Sequence, residues 1–417
     1  MSHPEALLAV GTAVNSDRVL ERIDELALIG ADPAGGTTRI AFSAEERLAV
    51  DLVTGWLEQA DLAPAYDEYG NLFASTDGNT PEVATSVSGS HLDTVPNGGR
   101  LDGALGVVAA IEAVEAMRAV AALPERPLEV VVWRCEEPVR FSQGKVGSLL
   151  FTNQLTVDDL SPIGEPRFDI RAALAGEART PRRDVSRSIA SCLELHIEQG
   201  RRLDMAGCPI GVVTAIAAPI RLRVSFEGRA DHSGATPMDD RLDALCAAAE
   251  LILAVEDAGR RESEAESVAT SGDLTCRPGT INVVPGEAEV LVDVRGIDLE
   301  SMDRVVANIR ASAERIASRR RLSSKVTVLS RGIPTVLDNS VVNTLREVVR
   351  TLGCEPLLLP SGAGHDAQCL AGFADVGMIF APSVDGLSHC PEEFTHPEDI
   401  IAAVRALSAG WLALASA

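Results

Sequence analysis

The hydrophobic pattern of the chain changes at about residue 212 and changes back at about 328. That interruption constrains the fold more than any other feature. Upstream of it, strand and helix patterns alternate. Residues 83–90, 128–133 and 192–197 read as strands, the second of them rich in valine, and 105–120 reads as a helix. The first 40 residues read as helical, with apolar positions at Val19, Leu20, Ile23, Leu26 and Leu28. A further helix begins at Ser43, where Glu46 three residues on makes a capping box. Its buried face is expected from Leu48, Val50, Leu52, Val53, Trp56 and Leu57. Alternation of this kind predicts an α/β fold, a sheet flanked by helices.

Inside the interruption the period is different. Ile220, Leu222, Val224 and Phe226 alternate with polar residues, as in a half-exposed strand. Residues 243–257 then read as a helix with Leu245, Ala248, Leu251, Ile252 and Val255 on one stripe. Strands are expected at 280–284 and 288–294, separated by the turn signal Pro285-Gly286. A long polar helix at 298–320 and a strand at 325–329 complete a β-α-β-β-α-β order, the split βαβ unit. The expectation is a discontinuous domain, 1–211 and 329–417, with an α+β domain at 212–328 inserted into it.

Composition narrows the function classes. The 417 residues include 61 acids and 37 bases, a net charge of −24, and aromatics are 3% of the chain. A field of that sign repels phosphate backbones and anionic lipid, so nucleic acid and membrane surfaces are set aside as partners. No run of 18 apolar residues exists, and the start of the chain lacks the basic and apolar regions of a signal peptide. The eight cysteines show no CxxC spacing, which fits reduced thiols and a cytoplasmic protein.

The chemistry-bearing residues gather in five short segments. Ser90-His91-Leu92-Asp93 follows a strand, where open α/β sheets place their ligands, and Asp93 is spaced to face the same side as His91. The Asn97–Gly103 segment leads into a helix, so Asp102 is either a site residue or that helix's N-cap. Glu136-Glu137 ends the valine-rich strand, and adjacent acids there suit a division between metal ligand and general base. His196 lies in Glu194-Leu195-His196-Ile197-Glu198-Gln199, again at a strand end, and His389 follows Asp385-Gly386-Leu387-Ser388. A lone histidine is more often a satisfied polar residue than a ligand. Three histidines and several carboxylates at the ends of one sheet, with no cysteine, suit zinc in a catalytic site, or manganese, cobalt or nickel. Five ligands that share one carboxylate would hold two divalent ions.

Several longer segments carry a resemblance: residues 89–103 (GSHLDTVPNGGRLDG), 195–200 (LHIEQG), 232–239 (HSGATPMD), 361–367 (SGAGHDA) and 382–393 (PSVDGLSHCPEE). In order and in kind they resemble the hydantoinase/carbamoylase family, which includes N-carbamoyl-L-amino-acid hydrolases, β-ureidopropionases and allantoate amidohydrolases. That family sits within the clan of two-metal aminoacylases and carboxypeptidases. The resemblance implies an exopeptidase-like catalytic domain with a mixed sheet, and an inserted lid through which two subunits form a homodimer. It implies His91 and Glu137 as terminal metal ligands, Asp102 as the bridge, and His196 and His389 completing the two spheres. Glu136 would be the general base, and His232 would reach the partner subunit's site to stabilise the oxyanion. Gln199, Asn282, Arg295, Gly364 and His365 match substrate-binding positions, with Arg295 clamping the carboxylate of a small substrate.

The residues support Arg295 separately: it ends a strand whose Ala288, Val290, Val292 and Val294 face inward, so it points the other way, as a solvated arginine also would. One departure stands out. The family reads Glu-Glu-Gly-Ser-Arg-Phe where this chain reads Glu136-Glu137-Pro138-Val139-Arg140-Phe141. Proline fixes φ and removes a donor, and valine lacks the hydroxyl. Both carboxylates remain, so catalysis is expected to survive, while the altered pocket leaves the substrate open among carbamoyl, acyl and ureido acids. The rival activities are an aminoacylase or dipeptidase of the same clan, and an inactive metal-binding scaffold, which the retained ligands and base disfavour.

Overall fold

Every position of Thr85–His91 and of Leu128–Trp133 is buried. Strands buried at every position must be covered on both faces, which places them at the centre of a layered structure. In the computed structural model, which describes residues 3–77, 83–162, 168–176, 180, 183 and 187–417, they are parallel neighbours. Ile189–Ile197 lies parallel beside Thr85–His91, and Asp375–Ala381 lies parallel beside Ile189–Ile197. Ala63–Tyr66 and Leu72–Ser75 extend one edge antiparallel, and Gly211–Ile216 adds antiparallel on the other side. The sheet is therefore mixed, and its four parallel strands end on the same side at His91, Trp133, Ile197 and Ala381.

The Ala104–Ala119 and Pro397–Ala415 helices pack on this sheet and on each other, and His3–Ala13, Ser16–Ala27 and Asn339–Thr351 join them. Asp366–Leu370 and Val146–Phe151 pack together, the former also on three of the parallel strands. Two local expectations change. Helix Ser16–Ala27 stops before Leu28, which is exposed, and turns follow it. In Ala44–Gln59 the buried stripe is Ala49, Val53, Trp56 and Leu57, while Leu48 faces solvent. Ser43 does cap the Glu46 N–H at 3.1 Å. The Glu46 carboxylate instead accepts the Phe42 N–H at 2.7 Å and pairs with buried Arg134, so the box closes one residue earlier.

Contacts divide the chain into two units. The first takes in 1–214, 337–361 and 365–417, and the second 215–336 with 362–364; the sequence pattern put the insert at 212–328. The second unit has a sheet ordered Ser323–Arg331, Ala218–Glu227, Glu287–Gly296 and Val268–Arg277, antiparallel throughout. Ile220, Leu222, Val224 and Phe226 form its core with Val290, Val292, Val294 and the helices Ala244–Arg261 and Leu299–Arg320. The expected strand at 280–284 is corrected: only Val283–Val284 pairs, with Asp231–His232. Its place in the β-α-β-β-α-β order belongs to Val268–Arg277, an edge strand exposed at most positions. An edge strand with little to bury has no apolar alternation to read. Among the described residues, no helix is long and apolar enough to cross a membrane, and all eight cysteines are free thiols.

Candidate metal centre and active site

The parallel strands deliver the candidate residues to one edge of the first unit. His91 is the last residue of its strand, His196 the penultimate residue of the next, and Glu136 and Glu137 follow Trp133 by three and four positions. Cys135 turns the chain there with φ 59°, and Gln199 and His389 also adopt positive φ, at 58° and 57°. Non-glycine residues in that region carry a strain cost that a folded site must offset.

Asp102 is the hub. Its Oδ1 lies 3.4 Å from His91 Nε2 and 3.3 Å from His196 Nε2. Its Oδ2 lies 3.3 Å from His389 Nε2, which is 3.2 Å from Glu137 Oε1. Two ligand groups of metal-binding kind thus share one carboxylate: His91, Asp102 and His196, and Asp102, Glu137 and His389. The N-cap alternative for Asp102 does not hold. The helix is capped by Gly103 with no side-chain bond, and Asp102 instead accepts from Gln199 Nε2 at 2.7 Å and sits 2.9 Å from Ser388 Oγ. Gly103 has φ 68°, and a Cβ on it would come within 2.5 Å of the His91 ring. The close approach of the helix start to that imidazole requires glycine.

The second ring nitrogens are held from behind. His91 Nδ1 meets the Asp93 carbonyl oxygen at 2.9 Å, and His196 Nδ1 meets the Ile197 carbonyl at 3.0 Å. In both rings Nε2 is left facing the hub, the arrangement that orients a metal-binding histidine. The spacing of Asp93 suggested its carboxylate for this task. The carboxylate lies 3.8 Å from His91 Nδ1 and receives the N–H groups of Glu136 at 3.1 Å and Glu137 at 3.0 Å. Glu136 itself stands 4.0 Å from His91 Nε2.

The electrostatics express this crowding. Burial alone would push the His91 imidazole down, but Asp102, Glu136 and Asp93 raise it well above its ordinary value. His389, bonded to Asp102 and Glu137, is raised to about 10. Burial opposes ionisation of Asp102, and the three imidazoles hold it well below the carboxylate range. Burial raises Glu136 well above that range, with Glu137, Asp366 and Asp93 adding to the effect against the pull of His91. So many carboxylates in one buried space are costly without cations to offset them. Hard oxygen and imidazole donors with fixed tautomers fit divalent ions of the zinc and manganese kind.

Behind the hub, His365 packs on His196 with ring centroids 4.6 Å apart, and its Nε2 lies 2.8 Å from Ser361 Oγ. Glu194 forms a third group with His196 and His365, but its oxygens already take Ser90 Oγ at 2.7 Å and the Ala367 N–H at 2.9 Å. Asp385, the one acid of the fifth segment, is exposed and outside the cluster. Pro138 is exposed and Val139 half-buried beside Glu137, whose carbonyl takes the Val139 N–H at 2.8 Å.

The remaining candidates belong to the second unit. His232 is exposed, and its Nδ1 accepts the N–H groups of Gly234 and Ala235, each at 3.0 Å. A ring that accepts at Nδ1 carries its proton on Nε2. Asn282 is exposed, and its carbonyl takes the Ser233 N–H at 3.1 Å. Arg295 projects from the outer face of its strand and donates from Nε to Asp293 at 2.6 Å. Gly364 groups with this unit. Sequence reasoning missed Ser388 and Glu393, which bond at Asp102 from a loop far along the chain.

A hydrolase class built on a two-ion site is what this sheet edge describes, and the comparisons agree. The profile of Peptidase family M20/M25/M40 matches residues 87–412, and the chain belongs to that family. It is 37% identical over 391 residues to an N-carbamoyl-L-amino acid amidohydrolase of Geobacillus stearothermophilus, covering 93% of this chain and 95% of the relative. It is 35% identical over 416 residues to the ureidoglycolate hydrolase of Arabidopsis thaliana, covering 96% and 87%. The crystal structure of an amidase of the hydantoinase/carbamoylase family from Burkholderia multivorans superposes with a TM-score of 0.88 at 32% identity, covering 97% of this chain and 98% of that one.

Proposed function

We propose that the chain is a metal-dependent amidohydrolase that cleaves a linear C–N bond in a small N-carbamoyl or ureido acid. The observation that carries this reading is the division of Asp102 between two ligand groups, one at each carboxylate oxygen. His91 and His196 would hold one divalent ion with Asp102, and Glu137 and His389 the other. Zinc is the first candidate, with manganese, cobalt and nickel compatible with the same donors. Ions held there would supply Lewis acidity to the scissile carbonyl and lower the pKa of water toward neutral.

The other roles fall to this chain's own groups. Glu136, tethered through its backbone to Asp93, takes a proton from the attacking water and passes it to the leaving nitrogen. Gln199 gives Asp102 its amide N–H and keeps Oε1 as a buried acceptor without a hydrogen-bond partner among the described residues. A carbamoyl N–H would satisfy that oxygen. His365 and Gly364 would contact the substrate, as the family resemblance implies, and Asn282 with the Arg295 guanidinium would hold its carboxylate. His232, with its proton on Nε2, donates to the developing oxyanion in the site of a partner subunit. The second unit is accordingly a lid through which the protein forms a homodimer, and the exposed edge strand Val268–Arg277 is a surface suited to pairing. Free cysteines throughout are in keeping with a cytoplasmic enzyme.

A panel of N-carbamoyl, ureido and N-acyl amino acids, assayed with protein reloaded with each metal, tests the reading. Ammonia released from carbamoyl or ureido acids is the expected result. Turnover confined to N-acyl acids or dipeptides would reassign the chain to the aminoacylases, and no turnover with both ions bound would overturn the proposal.

A further inference from the structure

Asp102 can serve two ion sites only if its carboxylate stays in one orientation. The covalent neighbours do little to secure that, because Gly103 follows it and Gly98 and Gly99 lie shortly before it. Gln199 Nε2 gives Oδ2 one hydrogen bond, at 2.7 Å, and further restraint comes from the loop that carries His389. Glu393 in that loop is 5% exposed. Its Oε1 accepts the backbone N–H of Leu101 at 2.8 Å and of Asp102 at 3.1 Å. Its Oε2 lies 2.9 Å from Ser388 Oγ, which lies 2.9 Å from Asp102 Oδ2. One carboxylate therefore fixes the peptide of Asp102 and holds the Ser388 hydroxyl beside Asp102 Oδ2, where its one proton can be given to either carboxylate.

Room for this arrangement is provided by residue 99. A Cβ on Gly99 would lie 1.9 Å from Glu393 Cδ and about as close to both carboxylate oxygens. A buried side chain held at three points has little freedom to yield. The loops at 97–103 and 385–393 are thus keyed together at the point where the two ligand groups meet.

We infer that Glu393 is a positioning residue for Asp102, acting on the backbone N–H groups of Leu101 and Asp102 and, through Ser388, on Oδ2, so that both ion sites form with matched affinity. The inference rests on the two-ion reading of Asp102 given above. Removing the anchor frees the 101–102 peptide and lets the hub carboxylate swing toward one ligand group. The expected consequence is unequal: one ion stays tight, and the other is weakened by about 10–100-fold, the range typical when an outer hydrogen bond to a ligand is lost.

The test is a competitive chelator titration of Zn2+ on the purified protein, reading stoichiometry and the affinity of each equivalent. Glu393→Ala and Gly99→Ala should both weaken one equivalent by about 10–100-fold, the second while keeping the glutamate. Glu393→Gln should stay near wild type, because its Oε1 still accepts two N–H groups and its Nε2 reaches Ser388. If Glu393→Ala does not fold, Gly99→Ala against Glu393→Gln gives the same contrast. Wild-type affinity for both equivalents in Gly99→Ala and in any folded Glu393→Ala would overturn the inference, and so would a Glu393→Gln protein with one equivalent weakened as in Gly99→Ala. Asp102→Ala separates the two levels. If it retains two tight ions, or if wild type binds fewer than two, the two-ion reading fails; if it loses them while Glu393→Ala does not, only the role of Glu393 fails.

Discussion

Asp93 holds His91 through its carbonyl oxygen, at 2.9 Å from Nδ1, and leaves its carboxylate for the N–H groups of Glu136 and Glu137. One residue thereby fixes an imidazole and the pair of acids that follow the neighbouring strand. Asp93→Ala keeps the carbonyl contact but releases the Glu136-Glu137 peptide. The expected loss is about 10–100-fold in metal affinity, with a larger loss of turnover because Glu136 also moves. Wild-type metal content with wild-type kcat in that variant would show that the carboxylate is only structural.

Glu136→Gln separates binding from proton transfer. The amide keeps the shape of the side chain and the backbone tie to Asp93, so two ions should still bind. Turnover should fall by about 10²–10⁴-fold, the usual contribution of a positioned general base. The check pairs metal analysis with steady-state kinetics: retained kcat excludes Glu136 as the base, and lost metal makes it a ligand instead.

Part of the candidate cluster is legible in the sequence because three of its residues lie within a few positions of a strand end. His91, Glu137 and His196 stand where three parallel strands stop, so the strand pattern brings these three candidates together. What was not legible depends on distance along the chain or on the absence of a pattern. Glu393 reaches Leu101 across 292 positions, and nothing near either residue announces the contact. Val268–Arg277 buries too little to show alternation, so the weakly apolar stretch at 280–284 was read in its place. Leu48 was assigned to a core because it is apolar, whereas helix geometry gives that face to Ala49 and Val53.

Arg295 bears on substrate choice. Its strand holds it on the outer face, where Nε is already committed to Asp293, so a carboxylate would be met by the Nη groups. Arg295→Ala should raise KM for carboxylate substrates by about 10-fold or more, as for loss of a charge-assisted hydrogen bond, with a much smaller effect on the matching neutral amides. Equal losses on both substrate types would remove the clamp from the scheme.

Arg134 follows the end of the Leu128–Trp133 strand and is buried against Glu46, with Nη2–Oε2 at 2.8 Å and Nε–Oε1 at 3.1 Å. Its guanidinium also stacks 3.9 Å from the centre of the Phe42 ring. Breaking such a pair leaves a buried charge unmatched, and Arg134→Leu should cost about 3–5 kcal/mol in urea unfolding. Adding Glu46→Gln removes that charge and should recover part of the loss. A double variant less stable than Arg134→Leu would mean that the pair contributes through shape rather than charge.

Asp67 provides a pH signature away from the metal centre. Burial pushes its carboxyl up to about 6, against the N–H groups of Asn71 and Tyr69 that favour the ionised form. Between the ordinary value of 3.8 and about 6, the folded chain then binds more protons at this site than the unfolded chain does. Stability from Asp67 is therefore complete below about pH 4 and is lost as pH rises through 6, by on the order of 3 kcal/mol for a shift of about two units. Asp67→Asn stays neutral across the window and keeps an oxygen for the two backbone N–H groups, although it loses the bond from Asn71 Nδ2. Unfolding free energies of the two proteins, measured between pH 4.5 and 7.5, should give a difference that falls until about pH 6 and is level above it. A difference that rises with pH would mean that the hydrogen bonds outweigh burial and that Asp67 stabilises the fold as a carboxylate.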